Sequence, residues 1–378
     1  MQPLEGRHTP PQSIIEQLKR NDLFQALAVP IDDKNFPTIR DAEFYIHRNG
    51  LIVNAEGWYH PDGKLIGEVL YAPDSDGNKE IFGQKYQKVT LYPQTYAPVP
   101  YDQRGEVLRQ YDPSLLQIES NPYFARYKQI FDRNDLVAYL PGREVFQRIT
   151  TLLANPQDGL VTDIQDVQKL LGISLTNIPL GVTGGVLVGN FRDFHDFDLV
   201  FQGSLEQNLI IAKAMRYLVL REPHRRVIEG GKGWNIRFYN DKGTFMCSFF
   251  SYGNPEDAPL RDFEMEVLIP DLTLEGSVED DTHSIYTPTI LGLDHARALQ
   301  AENQEKIDME TLESIQLIIY HTAARGECFA GDRVRARGAL VTVRTPRLEY
   351  KALCVIERDG IKNLTPPWEG FYDDPGVS

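Results

Sequence analysis

The sequence predicts an α+β protein in three parts. An antiparallel β-rich segment comes first, a mixed α/β core follows, and a small β-barrel closes the chain. Two observations carry this. Short alternating runs broken by Asn-Gly and Asp-Gly pairs dominate the first third, and such pairs turn hairpins. A strong helical period then appears in the middle, before alternation returns near the C-terminus. The expected boundaries are 1–115, 116–272 and 273–378.

In the first part, SIIEQLKRNDLFQAL reads as one amphipathic helix with Ser13 as N-cap and Ile14, Ile15 and Leu18 at helical spacing. Then EFYIHRNGLIVNAEGWYHPDGKLIGEVLYAP carries turns at Asn49-Gly50 and Asp62-Gly63, with a further turn at Asp74 to Asn78. This segment shows no catalytic constellation. PYDQRGEVLRQYDPSLL reads as a connection between domains.

In the second part, NPYFARYKQIFDRNDLVAYL, GREVFQRITTLLANP and TDIQDVQKLLG are expected to be helical, punctuated by Pro141-Gly142 and Pro156. SLEQNLIIAKAMRYLVLREP is a strong helix capped by Ser204, with apolar residues at Leu205, Leu209, Ile210, Ala214 and Leu218. WNIRFYN, TFMCSFFSYG and FEMEVLIP read as strands, with a tight turn from Asp241 to Gly243 between the first two. In the third part a helix is expected over KIDMETLESIQLIIYHTAAR. GDRVRARGALVTVRTPRLEYKALCVIERDG then gives three short strands of a barrel or half-barrel.

Composition narrows the function. With 42% hydrophobic residues a sizeable core is within reach. The 54 acidic against 39 basic residues give a net charge of −15, which disfavours a non-specific nucleic-acid coat. Cys247, Cys328 and Cys354 are too far apart for a zinc ribbon and odd in number. No secretory leader and no bilayer-length apolar run are visible, so a soluble, cytoplasmic protein without a membrane partner is expected.

The chemistry concentrates in NIPLGVTGGVLVGNFRDFHDFDLVFQG. On a strand, Asp196 and Asp198 project to one face with Cα atoms ~6.5–7 Å apart, while Phe197, Leu199 and Phe201 face the core. Two adjacent carboxylates repel unless a cation lies between them, and hard oxygen ligands suit Mg²⁺ or Mn²⁺. Gly184 and Gly185 supply backbone that a triphosphate can approach.

Thr183-Gly184-Gly185 followed by Asp196-Phe197-Asp198 resembles the signature of the DNA polymerase β-type nucleotidyltransferase superfamily. Gly-Val-Thr-Gly, FSYG, VEDDTHSIYTP and GDRVRARGALVTV are similar to an archaeal-type group of predicted nucleotidyltransferases. The resemblance implies a polymerase-β-like core that moves an NMP from an NTP to a hydroxyl acceptor, with Mg²⁺ or Mn²⁺ as cofactor. An RNA 3′ end and a small-molecule hydroxyl fit equally as acceptor.

It also implies a third carboxylate on a neighbouring strand. Glu264 and Glu266 on FEMEVLIP are favoured, Glu264 as a metal ligand and Glu266 as a catalytic residue; Asp280 and Asp281 compete. The residue pattern itself offers Lys232, in the Gly-rich GGKGW, and Arg237, on WNIRFYN, as phosphate contacts, while GGKGW reads first as a flexible hairpin connector.

Other motifs have milder readings. REPHRR at a helix end offsets the helix dipole, with substrate binding as the competing reading. Arg333, Arg335 and Arg337 give a strand one basic face, solvated or set against nucleic acid. Asp193 and His195 crowd the aspartates, and His195-Asp196 spells the HD pair of phosphohydrolases. Two alternatives therefore stand beside the transferase: a catalytically silent nucleotide- or RNA-binding protein on the same fold, and a metal-dependent phosphohydrolase.

Overall fold

The structure is a computed structural model that describes residues 11–32, 36–89, 111, 115, 121–126, 128–152, 159–190, 196–229, 232–301, 312–357 and 359–367. It is mixed α+β, mostly strands with few helices, arranged in three sheets.

The first sheet has eight strands, β1 (Val29–Pro30), β2 (Phe44–His47), β3 (Ile52–Ala55), β4 (Lys64–Pro73), β5 (Lys79–Ile81), β6 (Gln84–Lys88), β7 (Gln129–Asp132) and β8 (Leu136–Leu140). Its order is β1-β8-β2-β3-β4-β6-β5, with β7 also on β4, and every pairing is antiparallel. The Asn49-Gly50 and Asp62-Gly63 turns join β2 to β3 and β3 to β4. Gly50 and Gly63 take the positive φ such turns need, +86 and +72.

NPYFARYKQIFDRNDLVAYL, expected to be helical, instead forms a 3-10 turn at Tyr123–Ala125 followed by β7 and β8. The reason is its period: Gln129, Phe131, Leu136, Ala138 and Leu140 alternate inward as a strand requires. The expected N-terminal helix is split into α1 (Pro11–Arg20) and α2 (Asp22–Leu27). Asn21 breaks it by accepting from the Phe24 N–H at 2.9 Å.

Helices α3 (Gly142–Leu152) and α4 (Gly159–Leu171) match their expectation and lead to the second sheet. Its strands are β9 (Leu180–Val182), β10 (Asp196–Phe201), β11 (Arg226–Glu229), β12 (Lys232–Tyr239) and β13 (Phe245–Phe250), in the order β11-β12-β13-β10-β9. The short α5 (Gly184–Leu187) follows β9, and α6 (Leu205–Arg221) follows β10. Ser204 and Gln207 close a capping box at the start of α6. The face α6 buries is Asn208, Ile211, Ala212, Met215, Leu218 and Val219. Ile210, expected inside, is 51% exposed.

The third sheet comprises β14 (Glu264–His283), β15 (Thr289–Ala301), β16 (Gln316–Ile319), β17 (Arg333–Arg344), β18 (Glu349–Val355) and β19 (Ile361–Asn363). Because β14 pairs with β15 on one side and β17 on the other, the sheet curls into a half-barrel. SIQLIIY, expected at a helix end, supplies β16, since its β-branched residues sit better on a pleated surface; residues 302–311 lie outside the described set. FEMEVLIP is not a core strand: it begins the 20-residue β14.

One hydrophobic cluster runs from α1 and α2 through the first sheet to the central one, joining Tyr71, Tyr86 and Leu140 with Val186, Phe197, Phe201 and Met215. The half-barrel is locked on by FSYG and VEDDTHSIYTP, which meet. Tyr252 stacks on Tyr286 at 4.0 Å and bonds His283 Nδ1 at 3.1 Å, while Asn208 donates to the Tyr286 hydroxyl at 3.0 Å. These two motifs are structural joints.

Candidate active site

Strand β10 puts Phe197, Leu199 and Phe201 at 0%, 1% and 0% exposure, which drives the opposite face, bearing Asp196 and Asp198, toward the surface. Asp196 is exposed and Asp198 half-buried. The strand is held by β9 on one side and by β13, in parallel, on the other. Opposite Asp198 on β13 lies Cys247, and opposite Cys247 on β12 lies Arg237. Asp198, Cys247 and Arg237 therefore form one row across three strands.

The Gly-Gly step has a different task from the one its composition suggests. Thr183 N–H donates to the Asp198 carbonyl at 3.0 Å, bringing the start of α5 against β10. Gly184 follows at φ +61, and a Cβ there would stand 1.8 Å from Asp198 Oδ2. Gly184 is thus the space the Asp198 carboxylate occupies. A Cβ on Gly185 would meet nothing nearer than Asn190 Nδ2 at 3.8 Å, so this glycine leaves open backbone beside the dyad. The Thr183 hydroxyl donates to Ala42 O at 2.7 Å, tying the step to the N-terminal sheet.

Electrostatics bear on Asp198. Burial foremost, and then the Asp196 charge, lift its carboxyl to about 6; the Cys247 thiol, which hydrogen-bonds it, and the Arg237 and Lys88 charges act the other way. Arg237 is held by its guanidinium lying 3.6 Å from the centre of the Trp234 ring. From the first sheet Tyr71 feels both aspartates. Burial and then the charges of Asp198 and Asp196 push its phenol up to about 12.

The pH consequence has a definite sign. Between roughly pH 4 and 6 the folded chain holds a proton on Asp198 that an unfolded aspartate, with pKa ≈ 3.9, has lost. Without metal, Asp198 therefore contributes less stability as pH rises through that window. A divalent cation needs the carboxylate form, so its affinity is expected to fall about tenfold per pH unit below 6 and to level off above 7. Thermal shifts with Mg²⁺ at pH 5.0, 6.0 and 7.5 check this; equal shifts at all three would contradict it.

Other expected site residues lie elsewhere. Glu264 and Glu266 belong to the half-barrel, opposite Arg344 and Thr342 of β17. Glu266 is 57% exposed and ion-paired with Arg344 at 2.8 Å. Neither strand neighbour of β10 carries them, because alternation alone did not tell which sheet FEMEVLIP joins. Asp281 pairs with Lys213 at 2.8 Å and accepts from Ala330 N–H, and Asp280 accepts from Thr282 N–H. No third carboxylate completes the dyad among the described residues, where no group of three potential metal ligands occurs.

Lys232 is not a phosphate contact either. It is 2% exposed, pairs with Glu327 at 2.9 Å and donates to Ala323 O. Burial pushes its ammonium down, and Glu327 opposes that. Such a pair is expensive to break because a lone buried charge remains. Asp193 and His195 lie outside the described residues, so the HD pair has no described geometry.

The arginine motifs are paired. Arg221 and Arg225 of REPHRR bind Glu222, and Arg225 also binds Asp241. Arg333, Arg335 and Arg337 do share one exposed face. Glu275 answers Arg335 at 2.5 Å, and Asp271 answers Arg337 at 2.7 Å.

Residues missed by sequence reasoning are Cys247, Tyr71 and Lys88. Cys247 carried a local signal, since it alternates with the core residues Met246 and Phe250 on a strand that follows the aspartates. Tyr71 and Lys88 carried none, since they lie more than a hundred residues away and share an electrostatic field with the aspartates only through the tertiary fold.

Compared with models of known protein families, with curated proteins and with solved structures, the chain matches none. Among the described residues no helix is long and apolar enough to cross a membrane.

Proposed function

We propose that this chain is a metal-dependent nucleotidyltransferase on a polymerase-β-like core, transferring an NMP from an NTP to a hydroxyl acceptor. The observation that carries the reading is the Asp196–Asp198 dyad, with Asp198 seated in the space that Gly184 leaves free. Two oxygen-donor side chains on one strand face, with the inner one raised by burial and then by its neighbour, suit Mg²⁺ or Mn²⁺. When bound, such a cation supplies charge neutralisation and polarises the phosphate it meets. Asp196 and Asp198 would hold it. Gly185 leaves backbone open for phosphate, and Arg237, fixed on Trp234, supplies a cation in the Asp198 row. The acceptor oxygen forms a bond to the α-phosphorus, the bond from that phosphorus to the β-phosphate oxygen breaks, and pyrophosphate leaves. The acceptor proton passes to water.

A second reading, a nucleotide-binding protein without turnover, is favoured by one observation. The strand neighbour of Asp198 is Cys247, where the resemblance implies a carboxylate. One experiment separates the two. α-³²P-labelled NTPs are incubated with Mg²⁺ or Mn²⁺ and cellular RNA or metabolites, using wild type and Asp196→Asn/Asp198→Asn. Label transfer by wild type, reduced at least a thousandfold in the double variant, is the expected result. Binding of all four nucleotides with no transfer would establish the silent protein instead.

A further inference from the structure

Resting on the metal reading above, we infer that Thr183 is a positioning residue for Asp198, and that the buried Asp41–Ala42 corner leading into β2 holds it in place. Thr183 stands at the N-cap of α5, where a threonine hydroxyl ordinarily accepts from its own helix; here it makes no such bond. The hydroxyl turns away and donates to Ala42 O at 2.7 Å, while the N–H of the same residue donates to the Asp198 carbonyl at 3.0 Å. Thr183 is buried, so both bonds are shielded from water. The next residue is Gly184, whose missing side chain makes the seat of the Asp198 carboxylate. One residue thus grips both the strand that carries the dyad and the corner behind it.

The corner is strained and tightly held. Ala42 takes φ +66, in the left-handed region that a Cβ disfavours. Such a residue persists only where its surroundings fix it. Its N–H donates to Ala55 O at 3.0 Å, and its carbonyl receives the Thr183 hydroxyl. Beside it, the buried Asp41 accepts from the Gly57 N–H at 2.8 Å and from Arg325 at 3.2 Å. Arg325 comes from the half-barrel, between β16 and β17, and its guanidinium lies 4.7 Å from the centre of the Phe249 ring on β13. A continuous chain of bonds therefore runs from Arg325 through Asp41, Ala42 and Thr183 to Asp198. All three sheets fix the seat of the inner carboxylate, and a loosened corner would let Thr183 and Gly184 drift from β10.

A merely structural corner would lower stability when altered and leave the folded protein's affinity for metal unchanged. The test titrates Mn²⁺ into full-length wild type, Thr183→Val and Thr183→Ser well below their unfolding temperatures. Hydrogen exchange over 40–44 and 183–188 is followed in wild type with and without Mn²⁺. Valine keeps the shape of threonine and loses the donor, whereas serine keeps the donor.

We expect Thr183→Val to bind Mn²⁺ about tenfold more weakly, with Thr183→Ser close to wild type. Because coupling is reciprocal, Mn²⁺ is also expected to slow exchange in both segments, although the dyad lies on another sheet from 40–44. Equal Mn²⁺ affinity in Thr183→Val, or Thr183→Ser as weak as Thr183→Val, would overturn this assignment alone. If Thr183→Val does not fold, exchange decides, and slowing confined to 183–188 would overturn the assignment. No Mn²⁺ uptake by wild type would overturn the metal reading, and this assignment with it.

Discussion

Gly184→Ala is expected to abolish most of the site's capacity for metal while leaving the fold intact. A Cβ at this position would lie 1.8 Å from Asp198 Oδ2, 2.7 Å from its Cγ and 3.2 Å from its Cβ. No rotation of the methyl group relieves that overlap, because the Cβ position is set by the backbone. Asp198 must swing away or α5 must lift from β10, which the Thr183 N–H bond to the Asp198 carbonyl resists. Displacing a reacting or ligating group by about 1 Å costs on the order of 100-fold in rate. The φ of +61 adds about 1 kcal/mol of backbone strain for alanine. Gly185→Ala is the matched control, since its Cβ meets nothing closer than 3.8 Å. It is expected to retain Mn²⁺ affinity and to lose nucleotide affinity. If the two variants behave alike, Gly184 is not the seat of Asp198.

Asp198→Asn is the second large effect, and its two parts have opposite signs. The wild-type carboxyl is lifted to about 6 by burial and by Asp196, so at neutral pH the metal-free fold carries an unfavourable charge. The isosteric amide removes that charge while its oxygen can still accept from the Cys247 thiol. Metal-free stability at pH 7.5 is therefore expected to rise by about 1–2 kcal/mol. Transfer is expected to fall at least a thousandfold, because a neutral amide cannot replace the carboxylate on a divalent cation. Thermal unfolding and label transfer on the same preparation read both parts. A loss of stability together with a loss of activity would mean that Asp198 is a structural group.

What was legible in the sequence was local. The aspartate pair, the Ser204 N-cap of α6 and the turns at Gly50 and Gly63 each depend on residues within a few positions of one another. What was not legible depended on partners far along the chain. Glu264 and Glu266 alternate correctly for a strand in any sheet, and only the pairing with β17 places them on the half-barrel. Lys232 sits in a Gly-rich loop sequence that suggests phosphate, yet Glu327, almost a hundred residues on, claims its charge. Gly184 was recognisable as a glycine with a purpose, but the atom it makes room for is a side chain of the protein itself. Lys88 and Tyr71 come from a region with no local mark of chemistry.

The claim beneath all of this is that the dyad holds a divalent cation. Titration of the full chain with Mn²⁺, followed by the free-ion EPR signal at pH 7.5, tests it most directly, with wild type beside Asp198→Asn and with and without ATP. The account predicts Mn²⁺ uptake by wild type that tightens when ATP is present, and loss of both the uptake and the tightening in Asp198→Asn. Wild type and Asp198→Asn taking up Mn²⁺ equally, or neither taking it up even with ATP, would contradict it.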